Sequence, residues 1–587
     1  MKLTALDASL IGGYLVLTLL IGLAASRRAG RDSKSFFLAG RDMPWWLLGV
    51  SMVATAFATD TPNLVTGFVR TGGVAKNWAW WSMLLTGMLT VFVYARLWRR
   101  TGVVTDIEFY ELRYGGRAAA ALRGFRALYL GLVFNVVVMA TVSLAAVKLG
   151  AILLGWPGWL TLLVAGAVTL VYSGLGGLRA VILTDFVQFA LAMVGAVWAS
   201  VWVLGLPEIG GLDALLAHPN VAPKLSLLPD LSDPEAYVPV LLVPLAVQWW
   251  AAYYPGAEPG GGGYVAQRMF AARSEGHAVA ATLLYNVAYY ALRPWPWILV
   301  ALASLVVFPD VDDLRNAFPS VEESKIGEDL AYPAMLSLLP PGLLGLVTAS
   351  LLAAFMSTMS TQLNLGASYL VNDFWGRFVR PEATEAERVR AGRIATAVSL
   401  VLGSGLGLAL TDAGQSFNIL LLLGAGTGGL YVLRWFWWRV NAWTEIVAMV
   451  GSVAVAGYYT FGPLELADHE RLVRGALVTT ALWVAAAFVT PRESDATLQR
   501  FVDVVRPGGP GWSRFTPASG AGESWPVPRG LLSMLLGCVL VYGLLLGTGR
   551  ALYGDSGAAA ALIGGALLAG AALWRMHGGS ARARGPA

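Results

Sequence analysis

Long apolar runs separated by short polar stretches set the rhythm of the chain between residues 8 and 575. A helix needs roughly 20 predominantly apolar residues to cross the hydrocarbon core of a bilayer. By that measure about fifteen spans are expected. Two of the runs break their own pattern. The second starts apolar at Trp45-Trp46 and then turns polar through Thr55, Thr59, Asp60, Thr61, Pro62 and Asn63 before becoming apolar again. The seventh reads Gln248-Trp249-Trp250, continues through Tyr253-Tyr254-Pro255-Gly256-Ala257-Glu258-Pro259, and ends in four glycines. Proline removes a backbone donor and disfavours helix at the residue before it. Backbone groups freed inside a bilayer cost several kcal/mol unless protein, ion or water satisfies them. Two interrupted helices in corresponding halves therefore point to a transporter with its site at mid-membrane. The plainer alternative is that Pro255 and the glycines end a helix at the membrane surface.

Composition narrows the class. The chain of 587 residues is 57% hydrophobic and 13% charged, with a mean hydropathy of +0.63. Soluble proteins carry about 25% charged residues, so there are too few charges here to cover the surfaces of several soluble domains. A soluble enzyme, a nucleic-acid binder and a disordered chain are excluded. The fold class expected is all-α, a polytopic membrane helical bundle. The net charge of +5 does not cluster on one face. Instead, roughly thirty of the 41 basic residues fall in alternate loops. Those loops are expected to lie inside, among them the stretches holding Arg99-Arg100, Arg268 with Arg273, and Arg388 to Arg393. The two long loops expected outside, 206–236 and 309–333, are acidic. Leu10 to Ala25 is followed, not preceded, by Arg27-Arg28, so it reads as a retained helix and not a signal peptide. The expected topology puts the N-terminus outside and the C-terminus cytoplasmic in a multi-pass cell (inner) membrane protein. The Pro/Gly-rich stretch 491–527 reads as an inside linker, and the tail after Arg575 as disordered. The single cysteine, Cys538, excludes an internal disulfide, and the four histidines show no metal-ligand spacing.

Two features carry chemistry. In the ninth span, Ala354, Ser357, Thr358 and Thr361 recur at i, i+3, i+4 and i+7, which places them on one helix face. Four hydroxyls within five residues (Ser357, Thr358, Ser360, Thr361) offer a hard cation such as Na+ neutral oxygen ligands; helix packing is the plainer use of such residues. In the sixth span stands Asp185, a carboxylate whose presence in a membrane is costly and marks a functional candidate.

These stretches resemble the sodium:solute symporter family over roughly residues 8–460. The resemblance is carried by Ser51-x-x-Ala54-Thr55, by Gly176-Gly177-Leu178-Arg179 through Thr184-Asp185-Phe186-Val187-Gln188, by Gln267-Arg268-Met269-Phe270-Ala271-Ala272-Arg273, and by Ala353-Ala354-Phe355-Met356-Ser357-Thr358-Met359-Ser360. It implies a five-plus-five inverted-repeat core, the leucine-transporter fold. That core would occupy 44–438, in halves 44–205 and 237–438, after an extra N-terminal helix within 1–43. Additional helices over 439–575 and a cytoplasmic tail over 576–587 would follow. The same resemblance implies a main sodium site at Ala54, Phe57, Ala354, Ser357 and Thr358. A second sodium site would lie at Asp185, Ser360 and Thr361.

The substrate region departs from the family patterns for sugars, proline or sialic acid. Candidate contacts are Thr59, Asp60, Thr61 and Asn63 from the first broken helix and Trp249, Trp250, Tyr253, Tyr254 and Glu258 from the second. Aromatic rings can stack on sugar faces or hold a cation; the tryptophans are equally suited to an interfacial belt or to core packing. Asp60 and Glu258 argue against a bare anion. Arg293 lies between aromatic and proline residues in the eighth span, where Pro294 and Pro296 should bend the helix. It is expected to pair with a carboxylate or to snorkel. The function expected is a monomeric, lipid-embedded sodium-coupled symporter of a small polar organic solute, with a sugar-like solute ahead of an amino acid or amine. No enzyme constellation and no nucleic-acid surface is expected. Proton coupling and sodium-independent passage, as a uniporter or channel, remain the alternatives.

Overall fold

The computed structural model describes residues 3–29, 33–58, 60–411, 417–418, 421–422, 424–515, 517 and 525–582. Among them regular structure is helical, apart from one backbone bridge between Met43 and Ala272. The helices used below are α1 (Ala5–Ala29), α2 (Trp45–Ala56), α3 (Asp60–Gly72), α4 (Val74–Thr101), α5 (Gly116–Leu154), α6 (Gly158–Leu204) and α7 (Gly263–Ala271). They continue with α8 (Glu275–Val307), α9 (Leu343–Val379), α10 (Glu385–Ala409), α11 (Asp495–Val505) and α12 (Ser556–Arg582).

Ten helices among the described residues are long and apolar enough to cross a membrane. Five further expected spans are not among these ten. Both interrupted runs are divided: α2 stops at Ala56 and α3 starts at Asp60, while residues 238–251 end before an unwound stretch that reaches α7. The run 158–175 is the first part of α6, which turns at Gly177 with φ +56°. The run 415–438 lies partly outside the described residues. The fifth, Ala442–Phe461, is a helix of 20 residues, with Glu445 in its first turn.

The distribution of side chains inverts that of a soluble protein. Leu567, Leu568 and Trp574 on α12 stand exposed, Leu568 at 74%, as befits a face that meets lipid. Asp185, Arg268 and Arg293 are each at 0%. The bundle interior is where the charges at membrane depth are buried. α6 packs along α9 and α1, and α2 packs against α6, α8 and α9. This arrangement brings the first break, Asp185 and the hydroxyl-rich span to one place.

The stretch 491–527 is more structured than its composition suggests. Its α11 buries Leu498, Phe501 and Val505, and its neighbour Glu493 accepts hydrogen bonds from the backbone N–H of Gly115 and Ala442. The apolar residues recur at helical spacing inside a polar segment, a pattern that a search for uninterrupted apolar runs overlooks. α12 likewise continues as helix to Arg582, past the point where a disordered tail was expected.

Candidate functional site

The first break leaves carbonyls without helical partners, and neighbouring helices supply donors. The Thr358 hydroxyl donates to the carbonyl of Thr55 at 2.7 Å, with the Ala354 carbonyl 3.2 Å away. Arg293 donates from Nη1 to the carbonyl of Ala56 at 2.6 Å. The Ala54 carbonyl accepts from the N–H of Phe57 at 3.1 Å. Ala54, Phe57, Ala354, Ser357 and Thr358 therefore gather where the end of α2 meets the middle of α9, and all five are buried.

Asp185 adjoins this group. The hydroxyls of Ser51 and Ser357 donate to its two oxygens at 2.5 and 2.6 Å. The Arg268 guanidinium lies 3.6 Å from Oδ2. Arg268 also donates to Ser51 Oγ at 3.2 Å, to Thr361 Oγ1 at 2.8 Å and to Gln267 Oε1 at 3.0 Å. Thr361 and Thr55 share a hydroxyl contact of 3.0 Å. Of the residues expected around a second ion, Thr361 thus reaches Asp185 through Arg268. The Ser360 hydroxyl donates within its own helix, to the carbonyl of Ser357 at 3.0 Å. Ser51, Ser357 and Arg268 are the groups that touch the carboxylate.

The role of Arg268 escaped the sequence reading. Counting basic residues between apolar runs placed it in an inside loop. The structure buries it on α7 as the counter-charge of Asp185. A buried, ionised carboxylate is costly unless an opposite charge or hydrogen bonds compensate it. Asp185 itself was therefore a signal to look for a basic residue away from the loops.

The expected substrate contacts separate into two chambers. Asp60, Thr61 and Tyr254 line one, together with Trp80, Tyr285, Tyr289 and Tyr290. Tyr253 and Glu258 line another, together with Asn135, Tyr264 and Tyr369. Pro255 borders both. Asn63 is fully buried one turn along α3, and its amide finds no hydrogen-bond partner among the described residues. Trp249 and Trp250 line neither chamber: the Trp249 carbonyl accepts from the Thr86 hydroxyl, and the Trp250 indole N–H donates to Ala246 within its own helix. Thr59 lies outside the described residues. Arg293 neither snorkels nor joins an ion pair among those found for the described residues. It is fully buried and stacks 3.7 Å from the centre of the Tyr289 ring. The helix around it changes register as the two prolines predict, with 288–292 π-helical and a new turn opening at Pro294.

Backbone pairing ties the second break to residues 424–426. The N–H of Tyr253 donates to the Gly424 carbonyl at 3.1 Å, and the N–H of Gly426 donates to the Ala251 carbonyl at 2.9 Å. A Cβ at Gly424 would sit 2.3 Å from the Tyr253 carbonyl oxygen. This close approach is one that glycine alone allows.

The model of the sodium:solute symporter family matches residues 36–454. A sodium/glucose cotransporter from Vibrio parahaemolyticus is 26% identical over 84% of this chain and 92% of its own length. A sodium/mannose cotransporter from Bos taurus is 28% identical over 77% and 78% respectively. A solved structure of a Na+-coupled sialic acid symporter, in a substrate-bound outward-open state, superposes with a TM-score of 0.67. It is 19% identical and covers 84% of this chain and 99% of its own. At that identity it speaks for the fold alone.

Proposed function

The chain belongs to the sodium:solute symporter family, and from that premise we propose that it imports a small polar, sugar-like solute together with Na+ by alternating access. The observation that carries this reading is the contact between α9 and the broken end of α2, where Thr358 bonds both the Thr55 and the Ala354 carbonyls. Neutral carbonyls and hydroxyls in one buried place suit Na+, a hard cation that prefers oxygen ligands and is here a co-transported substrate. In this reading the ion takes oxygens from Ala54, Phe57, Ala354, Ser357 and Thr358. It exchanges hydroxyl-to-carbonyl bonds for ion contacts and ties α2 to α9. A second Na+ near Asp185, with Ser360 and Thr361, would have to compete with Arg268 for the carboxylate.

The lining of the Asp60 chamber has the chemistry that suits a sugar-like solute. Its carboxylate accepts hydroxyl hydrogen bonds, and its tyrosines and Trp80 offer faces for stacking. The glucose and mannose cotransporters among the relatives support the same class. The inverted repeat would occupy 44–438, with the N-terminus outside, so that the acidic loops face the medium. Each charge moved inward then gains about 2.3 kcal/mol per 100 mV of membrane potential.

The test is uptake of radiolabelled D-glucose and D-mannose into proteoliposomes under an imposed sodium gradient. Uptake should stop in sodium-free medium, and Ser357→Ala and Thr358→Ala should each raise the sodium concentration for half-maximal uptake at least several-fold. Undiminished uptake without sodium would point to the uniporter or channel reading, and uptake driven by a proton gradient alone to proton coupling. Unchanged sodium dependence in both variants would remove the main-site assignment.

A further inference from the structure

The buried carboxylates of the described residues are answered by cations or by donors, with one exception. Asp185 faces Arg268 at 3.6 Å, Asp329 faces Lys148 at 2.7 Å, Asp373 faces Arg123 at 2.7 Å and Glu445 faces Arg434 at 3.3 Å. Asp7 and Asp106 each accept from a hydroxyl and from backbone N–H. The exception is Glu258, in the unwound stretch of the second break. It is 5% exposed, and its Oε2 has no hydrogen-bond partner among the described residues. It joins no ion pair among those found for them. An isolated ionised carboxylate is very costly to hold in an apolar interior.

Its surroundings do not make up the missing charge. The cavity that Glu258 lines has room for only one or two water molecules. Asn135 lines it too: its Nδ2 donates to the Gln362 carbonyl at 2.8 Å, and its Oδ1 has no partner. The open hydrogen-bonding positions are thus acceptors, and a protonated carboxyl would supply a donor. Asp106 lies on the other side of Gly263. The N–H of Gly263 donates to Asp106 Oδ2 at 2.9 Å, while a Cβ at Gly263 would fall 2.6 Å from Glu258 Oε1. Two negative charges flanking one glycine would repel. The other titratable groups that act on Glu258 are Tyr253, Tyr264, Tyr285 and Tyr369, none of them a cation.

The guanidiniums behind those rings are engaged elsewhere. Arg126 stacks on Tyr253 at 5.7 Å and donates to the Tyr431 hydroxyl at 2.8 Å. Arg268 stacks on Tyr264 at 5.9 Å and pairs with Asp185. A hard metal ion takes several oxygen ligands, yet much of the remaining wall is Leu130, Phe134, Val138 and Leu365. A proton needs one oxygen.

We propose that Glu258 is a proton-binding site, filled while the second break is closed and separate from the oxygens assigned to sodium. The proton comes from water and forms an O–H bond with the carboxylate. It returns to water as the unwound segment parts from residues 424–426. The site adds a proton-dependent step to the sodium-driven cycle.

The experiment is infrared difference spectroscopy of the purified full-length protein between mildly acid and mildly alkaline buffers, without sodium or solute. A protonated carboxyl C=O band should appear in acid and vanish in alkali. Labelling with 13C-glutamate should shift the band, and Glu258→Gln, which keeps the shape of the neutral acid, should abolish it. Thermal melting checks that the variant folds; should it not, Glu258→Asp in the labelled chain should leave the band unshifted. A band that labelling does not shift, or that Glu258→Gln leaves whole, would place the proton on another group and overturn the site. So would absence of the band in the wild type. Loss of the band on adding sodium at fixed pH would mean a metal-ion site and would also overturn it. In proteoliposomes, sodium-driven uptake of D-glucose or D-mannose should fall several-fold from the acid to the alkaline buffer, and Glu258→Gln should remove that dependence. Equal pH dependence in both chains would overturn the proton step. This arm alone rests on the symport reading: if neither sugar is taken up, the sugar reading fails and the spectrum still decides the site.

Discussion

The two interrupted helices solve the same problem with different chemistry. At the first break, carbonyls are met by side chains from elsewhere: the Thr358 hydroxyl on Thr55 and the Arg293 guanidinium on Ala56. At the second, main-chain pairing is added: the N–H of Tyr253 bonds Gly424 and the Ala251 carbonyl accepts from Gly426, beside the hydroxyls of Thr86 on Trp249 and Tyr285 on Gly256. Side-chain hydroxyls can turn and yield a carbonyl to an ion. Backbone pairing at a glycine contact cannot be exchanged without moving both segments together. In the proposed reading the first break is the one that binds and releases a cation, and the second travels as a unit with residues 424–426.

The largest expected effect is that of Arg268→Leu. It strips the counter-charge from Asp185, beside the hydroxyl-closed break, and removing one partner of a buried pair costs about 3–5 kcal/mol. Thermal melting in sodium-free buffer should show it, and added sodium should recover part of the loss. Full stability without Arg268 would mean that the pair at 3.6 Å does not hold the region together. Next is Gly424→Ala at the backbone-closed break, where the added methyl meets Tyr253. A cost of about 1–3 kcal/mol is expected, as for overpacking elsewhere. Here sodium should give no recovery, and recovery would erase the distinction between the breaks. Thr358→Ala should cost less, about 1 kcal/mol for one hydrogen bond, while its effect on sodium activation of uptake exceeds that of Gly424→Ala. Asp185→Asn keeps the shape and removes the charge; altered sodium stoichiometry or affinity, read by sodium-dependent binding and uptake, is the expected outcome. The smallest effect belongs to Ser360→Ala, whose hydroxyl bonds only its own helix in this structure. A sodium response as large as that of Ser357→Ala would show that Ser360 turns toward an ion.

Much of this architecture was legible in the chain. Both breaks follow from Pro62 and Pro255 within apolar runs, and the shared face of Ala354, Ser357, Thr358 and Thr361 follows from helical period alone. The bend at Arg293 follows from its two prolines. The placing of arginines was less legible. Arg268 looks like a loop residue in a hydropathy count and becomes the centre of a hydrogen-bond network in the structure. α11 was missed for a related reason, since its buried residues are spaced, not contiguous.

The sequence by itself determined the class of molecule, the alternation of spans and loops, the two weak points in the helices and the face that carries hydroxyls. Each depends on residues close together in the chain, where hydrophobicity and backbone preference act locally. Only the tertiary structure decided that Asp185 pairs with Arg268, that Tyr253 and its neighbour Tyr254 line different chambers, and that Glu258 and Asp60 do not share one. Those relations depend on how α3, α5, α7 and α9 pack around the unwound segment. A carboxylate's partner and a cavity's walls are set by distances across that packing, which no local pattern contains.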